Sequence, residues 1–407
     1  MSEWKDLRIG DIGEVITGKT PSKNNPEEWG TEMPFITPSD YKSYRKFANS
    51  SERKLSRAGI DRFSNKVLPQ NSVLVTCIGS DMGKVVINKI PVVTNQQINS
   101  IIPNTDIITS DFLYYQLVNI YDTLRVYGGD GTAVPIVNKS DFEGIELSLP
   151  LIPEQKAIAG VLSSLDGKID LLHRQNKTLE AMAETFFRQW FIEAKPQPSP
   201  NLSQRERNKI MKDESWEEKP LDEIADFLNG LACQKYPPKN EIEKLHVLKI
   251  KELRNGFTEN SDWASTDIAN EYIIENGDVI FSWSGSLMVK IWDGEKCILN
   301  QHLFKVASHN YPKWFYYFWT KHHLEKFISI AESKSTTMGH IKREDLSNSI
   351  VLIPEETELK EMDNSISPIL DKIIINNRQI RTLEKLRGTL LPKLMSGEVR
   401  VNPGGMK

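Results

Sequence analysis

The sequence EQKAIAGVLSSLDGKIDLLHRQNKTLEAMAETFFRQWF at residues 154–191 repeats its apolar residues with the period of a coiled coil. Alternating steps of four and three residues place these positions along one seam of a helix. The seam consists of Ile158, Leu162, Leu165, Ile169, Leu172, Asn176, Leu179, Ala183, Phe186 and Trp190. About 40 helical residues span roughly 60 Å. A single helix with one apolar stripe is unstable alone, so we expect it to pack against a partner.

A second stretch nearer the C-terminus has the same rhythm, and we predict that it is this partner. Its seam consists of Met362, Ile366, Ile369, Ile373, Asn376, Ile380, Leu383, Arg387, Leu390 and Leu394. Pro153 and Pro354 stand at first-turn positions, where proline is tolerated. Pro368 is a poor residue for a helix interior, so we expect a bend near it.

Two asparagines in these seams predict the direction of pairing. Asn176 and Asn376 occupy apolar positions, and a buried amide needs a hydrogen-bond partner. If they face each other, an antiparallel pairing sets Leu172–Ile380, Leu179–Ile373, Ile169–Leu383, Leu162–Leu390, Phe186–Ile366 and Trp190–Met362 opposite one another. Only Leu165 then meets a charged residue, Arg387, whose guanidinium could reach solvent along its apolar stem. The alternative is that both asparagines face solvent at a frayed seam.

Both helices belong to an internal repeat with an offset of 201 to 212 residues. The paired segments keep their order along the chain. They are WKDLRIGDIGEVITG (from Trp4) with WEEKPLDEIADFLNG (from Trp216), SVLVTCIGS with DVIFSWSGS, Asn95-Gln96 with Asn300-Gln301, Tyr114-Tyr115 with Tyr316-Tyr317, and Ile152-Pro153-Glu154 with Ile353-Pro354-Glu355. We therefore predict the α/β fold class, with two similar globular modules separated by an antiparallel pair of long helices and related by a pseudo-two-fold internal repeat.

The stretch GEVITGKTPS at residues 13–22 matches G-x-x-x-x-G-K-T, the pattern of a phosphate-binding loop. Such a loop should follow a buried strand and open a helix. Here Glu-Val-Ile-Thr is strand-like, and Pro21 and Pro26 favour a turn. The second copy, ADFLNGLA, lacks the lysine and the threonine. The repeat therefore argues against nucleotide binding by Gly13–Thr20.

Composition excludes several classes of protein. Charged residues make up 26% and apolar residues 39%, with a net charge of −4, which is the balance of an ordinary globular protein. No run approaches 18 apolar residues and the first residues include acids, so we expect neither a membrane span nor a signal peptide. Cys77, Cys233 and Cys297 lie too far apart for a disulfide framework or a metal site, which fits a reducing cytoplasm.

Patterns that carry catalytic chemistry are absent from the sequence. There is no Asn/Asp-Pro-Pro-aromatic stretch of an amino-methyltransferase and no G-x-G-x-x-G. The adjacent His322 and His323 cannot bind a metal from one helical face. Glu193-Ala194-Lys195 has the spacing of a nuclease motif but no aspartate nearby. We therefore predict no catalytic residues.

In this order, the segments resemble the specificity (S) subunits of type I restriction–modification systems. The resemblance covers nearly the whole chain and is carried by GEVITGKTPSKNNPEEW, MPFITPSD, DFLNGLA, LHVLKIKELRNGF, ILNQHLFKV, PLIPEQKAIAGVL, ETFFRQWF and LLPKLMSGEVRV. It implies two target-recognition domains, each reading a half-site of a split, asymmetric DNA sequence. It also implies that the helices form a spacer and dock two methyltransferase subunits, and that motor–nuclease (restriction) subunits join the assembly. S-adenosylmethionine and ATP are expected only on those partners.

The repeat and the heptad pattern predict a division of the chain, and the resemblance names its parts. Its parts are target-recognition domain 1 (1–152), the first spacer helix (153–194), a linker (195–215), target-recognition domain 2 (216–353), the second spacer helix (354–396) and a tail (397–407).

Candidate DNA contacts come from local charge, because basic residues interleaved with aromatic rings suit phosphate contact and stacking. The main candidate is the basic stretch from Lys42 to Lys66, for which the alternative is a solvated helix face. The polar turn after Gly18, a weaker basic set near Tyr236 and the segment ending at Arg343 are further candidates. The predicted contacts are Lys19, Thr20, Ser22, Lys23, Asn24, Lys42, Tyr44, Arg45, Lys46, Arg53, Lys54, Arg57, Lys235, Tyr236, Lys239, Lys334, Thr336, Thr337, His340, Lys342 and Arg343.

Two other functions stay open at this point. A coiled-coil scaffold that binds only protein would show no salt-dependent affinity for DNA, even with methyltransferase partners present. A nucleotide-binding protein using Gly13–Thr20 would be stabilised by nucleotide, and Lys19→Ala would abolish that stabilisation.

Overall fold

A computed structural model of the chain describes residues 4–79, 81–127, 136–193, 216–333 and 339–401. They form two compact units. Unit 1 contains residues up to Asp170 and from Thr382 onward, and unit 2 runs from Leu171 to Arg381. Each unit therefore contains one globular module and a segment of each long helix. The predicted linker at 195–215 lies outside the described residues.

The module of unit 1 contains three sheets. Its strands are β1 (Lys5–Arg8), β2 (Gly13–Thr17), β3 (Trp29–Gly30), β4 (Met33–Ile36), β5 (Phe47–Ala48), β6 (Arg53–Leu55), β7 (Val73–Thr76), β8 (Val85–Asn88), β9 (Val93–Thr94), β10 (Ile98–Pro103) and β11 (Glu146–Leu149). The sheets have the orders β1-β11, β2-β10-β7-β8-β5 and β3-β6-β4-β9. Pairing is antiparallel except for β4 with β9 and β5 with β8.

Short helices surround these sheets at Ile9–Ile12, Arg57–Arg62, Ser110–Asn119, Tyr121–Tyr127 and Lys139–Glu143, with 3-10 turns at Pro26–Glu28, Pro38–Ser43 and Ser64–Lys66. The central strand β7 is buried on both faces. Its alternate residues face opposite sides, as the period of a strand requires. Val73 and Val75 join the main core with the helix Ser110–Asn119, whereas Leu74 joins a second cluster with Tyr41.

The module of unit 2 repeats this plan. Its strands are β12 (Glu217–Pro220), β13 (Asp226–Asn229), β14 (Lys244–Leu248), β15 (Trp263–Ser265), β16 (Ile273–Ile274), β17 (Val279–Ser282), β18 (Met288–Ile291), β19 (Cys297–Leu299), β20 (Leu303–Ala307) and β21 (Ile350–Ile353). The sheet orders are β12-β21, β13-β20-β17-β18 and β15-β14-β19-β16. Helices lie at Leu221–Ile224, Ile250–Asn255, Lys313–His322, Leu324–Ser333 and Arg343–Ser347, with 3-10 turns at Cys233–Lys235 and Asn270–Tyr272.

Strand order confirms the internal repeat. In both modules the first strand pairs with the strand just before a long helix, and β2-β10-β7-β8 corresponds to β13-β20-β17-β18. Unit 1 adds β5 beside β8, whereas the corresponding sheet of unit 2 ends at β18 among the residues described. The two modules therefore share one α/β fold and differ at this sheet edge.

The two long helices are Ile152–Phe187, followed by a π-helical turn at Arg188–Glu193, and Glu356–Met395. Pro153 lies in the first turn, as predicted. Pro354 precedes the second helix instead of lying inside it. Pro368 is exposed, and the helix Glu356–Met395 continues through it without a break, so the proline does not end the helix.

In unit 2 the two helix segments run antiparallel. Asn376 Nδ2 donates to Asn176 Oδ1 at 2.8 Å, and Asn176 Nδ2 donates to Asn377 Oδ1 at 2.6 Å. Further along, Ala183 and Phe187 share a core with Ile366 and Leu370. Both seam asparagines are buried. The alternative in which they face solvent is therefore wrong.

The helix segments of unit 1 are also antiparallel. Arg387 Nη1 donates to Asp166 Oδ1 at 2.7 Å and its side chain is partly exposed, so the one mismatch predicted in the seam is resolved by an ion pair together with access to solvent. Among the predicted seam residues, the buried ones include Leu162, Ile169, Leu172, Ile373 and Ile380. Leu165, Leu179 and Leu383 are only partly buried.

Candidate nucleic-acid interface

The turn after β2 does not have the geometry of a phosphate-binding loop. The Gly18 N–H donates to Ile98 O at 3.1 Å and the Lys19 N–H donates to Thr94 O at 2.9 Å, so neither donor can bind a phosphate. In residues 4–79 no helix begins at Thr20; the next helical turn starts at Pro26. The backbone thus lacks the convergent donors and the helix N-terminus that a nucleotide phosphate needs.

The repeat explains why glycine stands at this turn. A Cβ at Gly18 would lie 2.2 Å from Asn95 O, and a Cβ at Gly230 would lie 2.3 Å from Asn300 O. Both glycines therefore allow the chain to pass against the same repeated Asn-Gln segment, a close approach that any side chain would block. The glycine of this match is thus a packing feature of the module.

Several predicted contacts near this turn are available at the surface of unit 1. Lys19, Ser22, Lys23 and Asn24 are exposed. Thr20 is partly buried, and its hydroxyl donates to Gln96 Oε1 at 2.6 Å. Gln96 is itself exposed, which makes it a polar group at this turn that charge-based reasoning missed. Its repetition as Gln301 in the second copy is the sequence signal that marks it.

The basic stretch from Lys42 to Lys66 divides into exposed and internal side chains. Lys42, Lys54 and Arg57 are exposed, Lys54 on strand β6 and Arg57 at the start of a helix. The aromatic residues predicted to interleave with them do not all do so. Tyr41 and Phe63 are buried in apolar clusters, because their rings fill the space under these loops. The stretch is thus not a single solvated helix face.

Four of the predicted basic contacts in this stretch have partners within unit 1, among them Arg57, whose guanidinium pairs with Asp61 at 3.3 Å. Lys46 is buried and its Nζ lies 2.6 Å from Asp111 Oδ1, so its side chain is not available at the surface of unit 1. The Arg45 guanidinium pairs with Asp170 at 3.4 Å. The Arg53 guanidinium lies 3.5 Å from the centroid of the Trp29 ring.

Tyr44 is only partly buried, and its hydroxyl donates to the carbonyl of Ser50. Burial and the nearby Asp40 carboxylate raise the pKa of Tyr44 above its ordinary value. Asp40 also accepts the N–H groups of Thr37 and Glu52 at 2.8 and 2.9 Å. The loop between β4 and β6 is therefore held in one conformation by a buried carboxylate.

In unit 2 the predicted contacts are scattered. Lys235 and Tyr236 are exposed, and Lys239 pairs with Asp267 at 2.6 Å. His340 and Lys342 are exposed on the segment before the helix Arg343–Ser347. Arg343 Nη2 donates to Phe227 O at 3.1 Å, which ties part of that guanidinium to the module. Lys334, Thr336 and Thr337 lie outside the described residues.

An aromatic stack on unit 2 was missed by the sequence reasoning. Trp263 is 41% exposed, and its ring stacks on His246 with 3.6 Å between centroids. Phe257 stacks on the other side of His246 at 4.6 Å, and Lys244 Nζ lies 4.5 Å from the Trp263 ring. Lys244 also pairs with Glu241, so it is the exposed Trp263 ring that suits stacking with a nucleic acid base. The search for clusters of basic residues missed this stack, because acidic residues lower the net positive charge of the surrounding sequence.

The described residues offer little that could bind a metal or act as a nucleophile. Within the described parts of the chain, no three His, Cys, Asp or Glu side chains group as metal ligands. All three cysteines are buried. Burial raises the pKa of Cys77 to about 12 and raises that of Cys233, which keeps both thiols protonated at neutral pH. Among the described helices, none combines the length and apolar character needed to cross a bilayer.

Comparisons with known proteins identify the repeated module. The type I restriction modification DNA specificity domain matches residues 1–181 and again residues 213–385. The MjaIX specificity subunit of Methanocaldococcus jannaschii, a type I restriction enzyme subunit, is 30% identical over 98% of this chain and 94% of its own length. The EcoR124I/EcoR124II specificity subunit of Escherichia coli is 30% identical over 40% of this chain.

A solved structure supports the same fold. The S subunit of a type I restriction–modification system from M. genitalium superposes with a TM-score of 0.57 at 16% identity, over 96% of each chain. Specificity subunits are the non-catalytic subunits of these systems, which agrees with relatives that are all named for specificity. With both halves of the sequence matched, this chain belongs to the type I restriction modification DNA specificity family.

Proposed function

We propose that this chain reads a split, asymmetric DNA site, with one half-site read by each module. Residues 1–152 and 216–353 are the two target-recognition domains in this proposal. The observation that carries it is the duplication of one fold with different side chains at corresponding turns. The turn around Lys19, Thr20 and Gln96 in unit 1 corresponds to Leu231, Ala232 and Gln301 in unit 2. Two copies of one fold that carry different side chains at this turn are suited to reading two different short DNA sequences.

The long helices dock methyltransferase subunits in this proposal, two of them on the two repeats, and motor–nuclease subunits join through the assembled complex. The support is apolar surface on the helices. Leu171, Met182 and Ile375 in unit 2 and Leu386 in unit 1 are each at least 40% exposed. Large apolar side chains on an otherwise polar helix face are typical of a protein-binding surface.

Base-resolution mapping of DNA methylation tests the reading function. The full chain is expressed with its methyltransferase partner, and the modified positions of the genome are mapped. We expect one bipartite motif whose two halves differ in sequence. Methylation without a bipartite motif, or none that depends on this chain, would contradict the proposal and favour a scaffold that binds only protein.

Docking is tested separately by charge substitutions on the helices. Met182→Asp and Ile375→Asp should reduce co-purification of the methyltransferase, because a buried carboxylate is costly in an interface. Gln175→Asp and Gln379→Asp add the same charge at exposed polar positions on the same faces of the two helices, without removing an apolar side chain, and should reduce co-purification less. Equal retention of the partner by all four variants would remove this face from the docking surface.

A further inference from the structure

Lys46 is a buried cation that joins three parts of unit 1. Only 6% of it is exposed. Its Nζ lies 2.6 Å from Asp111 Oδ1 on the helix Ser110–Asn119 and donates to Ser163 Oγ on the first long helix at 2.7 Å. The same atom lies 4.4 Å from the centroid of the Tyr115 ring. These partners compensate the cost of removing the ammonium from water.

The contacts continue from Lys46 to both long helices. The Tyr115 hydroxyl lies 3.3 Å from Lys46 Nζ and donates to Asp166 Oδ2 at 2.6 Å. The other oxygen of Asp166 accepts Arg387 of the second long helix at 2.7 Å. Arg45, next to Lys46, pairs with Asp170. One polar network therefore connects the segment before β5 with a helix of the module and with both long helices.

Such a network controls orientation in a way that apolar packing does not. Apolar burial is non-directional, so it permits small rotations of one element on another. Hydrogen bonds to a buried ammonium weaken steeply with angle and distance, and leaving a buried partner unpaired is costly. Unit 2 has no strand corresponding to β5 among its described residues, so the segment that places Lys46 belongs to unit 1.

We propose that Lys46 is a positioning residue, which sets the orientation of the first recognition module on the long helices and thereby the accuracy with which one half-site is read. The inference rests on the proposed split-site function. Lys46 acts through Ser163, Tyr115 and Asp111 and does not touch DNA.

The test compares Lys46→Met with Lys42→Met in the assembled complex with the methyltransferase. Lys42 is an exposed lysine on the same segment. Methylation rates are measured on the natural motif and on every single-base change in each half-site, at several salt concentrations. For Lys46→Met we expect the ratio of the methylation rate on the natural motif to the rates on single-base variants to fall about fivefold or more, in one half-site only. A fall of this size is comparable with the effect of one mismatched base pair. The salt dependence of Lys46→Met should stay unchanged, whereas Lys42→Met should flatten the salt slope by about one without relaxing the motif.

Tyr115→Phe is a second test variant, which leaves the volume of the core almost unchanged. It removes the hydroxyl shared by Lys46, Ser163 and Asp166. We expect relaxation of the same half-site, and Lys46→Arg should retain more discrimination than Lys46→Met. Relaxation of both half-sites or of neither by a folded Lys46→Met or Tyr115→Phe protein would overturn the inference, as would a reduced salt slope for Lys46→Met. Failure of the split-site function itself would appear differently, as the absence of a bipartite motif with the unchanged chain.

Discussion

Replacing Asn176 by leucine should destabilise unit 2 more than replacing Asn376 by leucine, and replacing both should recover most of the loss. Asn376 is fully buried, and its Nδ2 has Asn176 Oδ1 as its acceptor. Removing that acceptor leaves a buried donor without a hydrogen bond, which lowers the free energy of unfolding by about 2 kcal/mol. Asn377, which also loses a bond, is only partly buried and can be hydrated.

The reverse change costs less for a reason visible at the same site. Asn376 Oδ1 is buried without a hydrogen-bond partner among the residues that the structure describes. Asn376→Leu removes this unsatisfied oxygen together with the donor, so we expect a loss of only about 1 kcal/mol. The double variant lacks both seam amides, so its free energy of unfolding should lie within about 1 kcal/mol of that of the natural chain. The coupling free energy is then about −2 to −3 kcal/mol.

Denaturant unfolding followed by tryptophan fluorescence measures these differences. All of the nine tryptophans except Trp4 and Trp29 lie in the residue range of unit 2, so the signal reports mainly on that unit. A loss of about 2 kcal/mol corresponds to roughly 4–8 °C in melting temperature for a unit of this size. Gln379→Leu, an exposed position on the same helix, serves as the control and should change stability by less than about 0.5 kcal/mol. Additive effects of the two single changes would refute the pairing.

Three further predictions address DNA contact, spacing and pH. The double change Lys54→Ala with Arg57→Ala should flatten the salt dependence of DNA binding by the assembled complex by up to about two units of slope; an unchanged slope removes both residues from the DNA face. Adding one heptad to each long helix at matched places lengthens each by about 10 Å. If the helices space the half-sites, the unread gap in the methylated motif should grow by about three base pairs at 3.4 Å each, whereas methylation with the original gap would show that they do not. Burial and the neighbouring His322 lower the pKa of His323 to about 4, so its contribution to stability is complete above its ordinary pKa near 6.5 and is lost as pH falls toward 4. The melting temperature of His323→Gln should fall less than that of the natural chain between pH 6.5 and 4. An equal fall in both proteins would contradict this role of His323.

Several features of this protein were determined by its sequence alone. The heptad spacing predicted both long helices to within a few residues of Ile152–Phe187 and Glu356–Met395. The repeat predicted two modules of one fold, and the position of Asn176 and Asn376 predicted antiparallel pairing. These succeed because helix period, repeat order and an amide at an apolar position are local or one-dimensional signals.

Only the tertiary structure decided which charged residues face solvent. Lys42 and Lys46 look alike in the sequence, yet one is exposed and the other is enclosed by Asp111, Ser163 and Tyr115. Their partners come from segments tens of residues away, and neither composition nor period reports such distant neighbours. Arg387 depends on the fold in a related way, because its partly exposed side chain pairs in the seam with Asp166 of the other long helix. A lysine or an arginine is buried when the fold brings an anion to it, and that meeting is a property of three-dimensional packing.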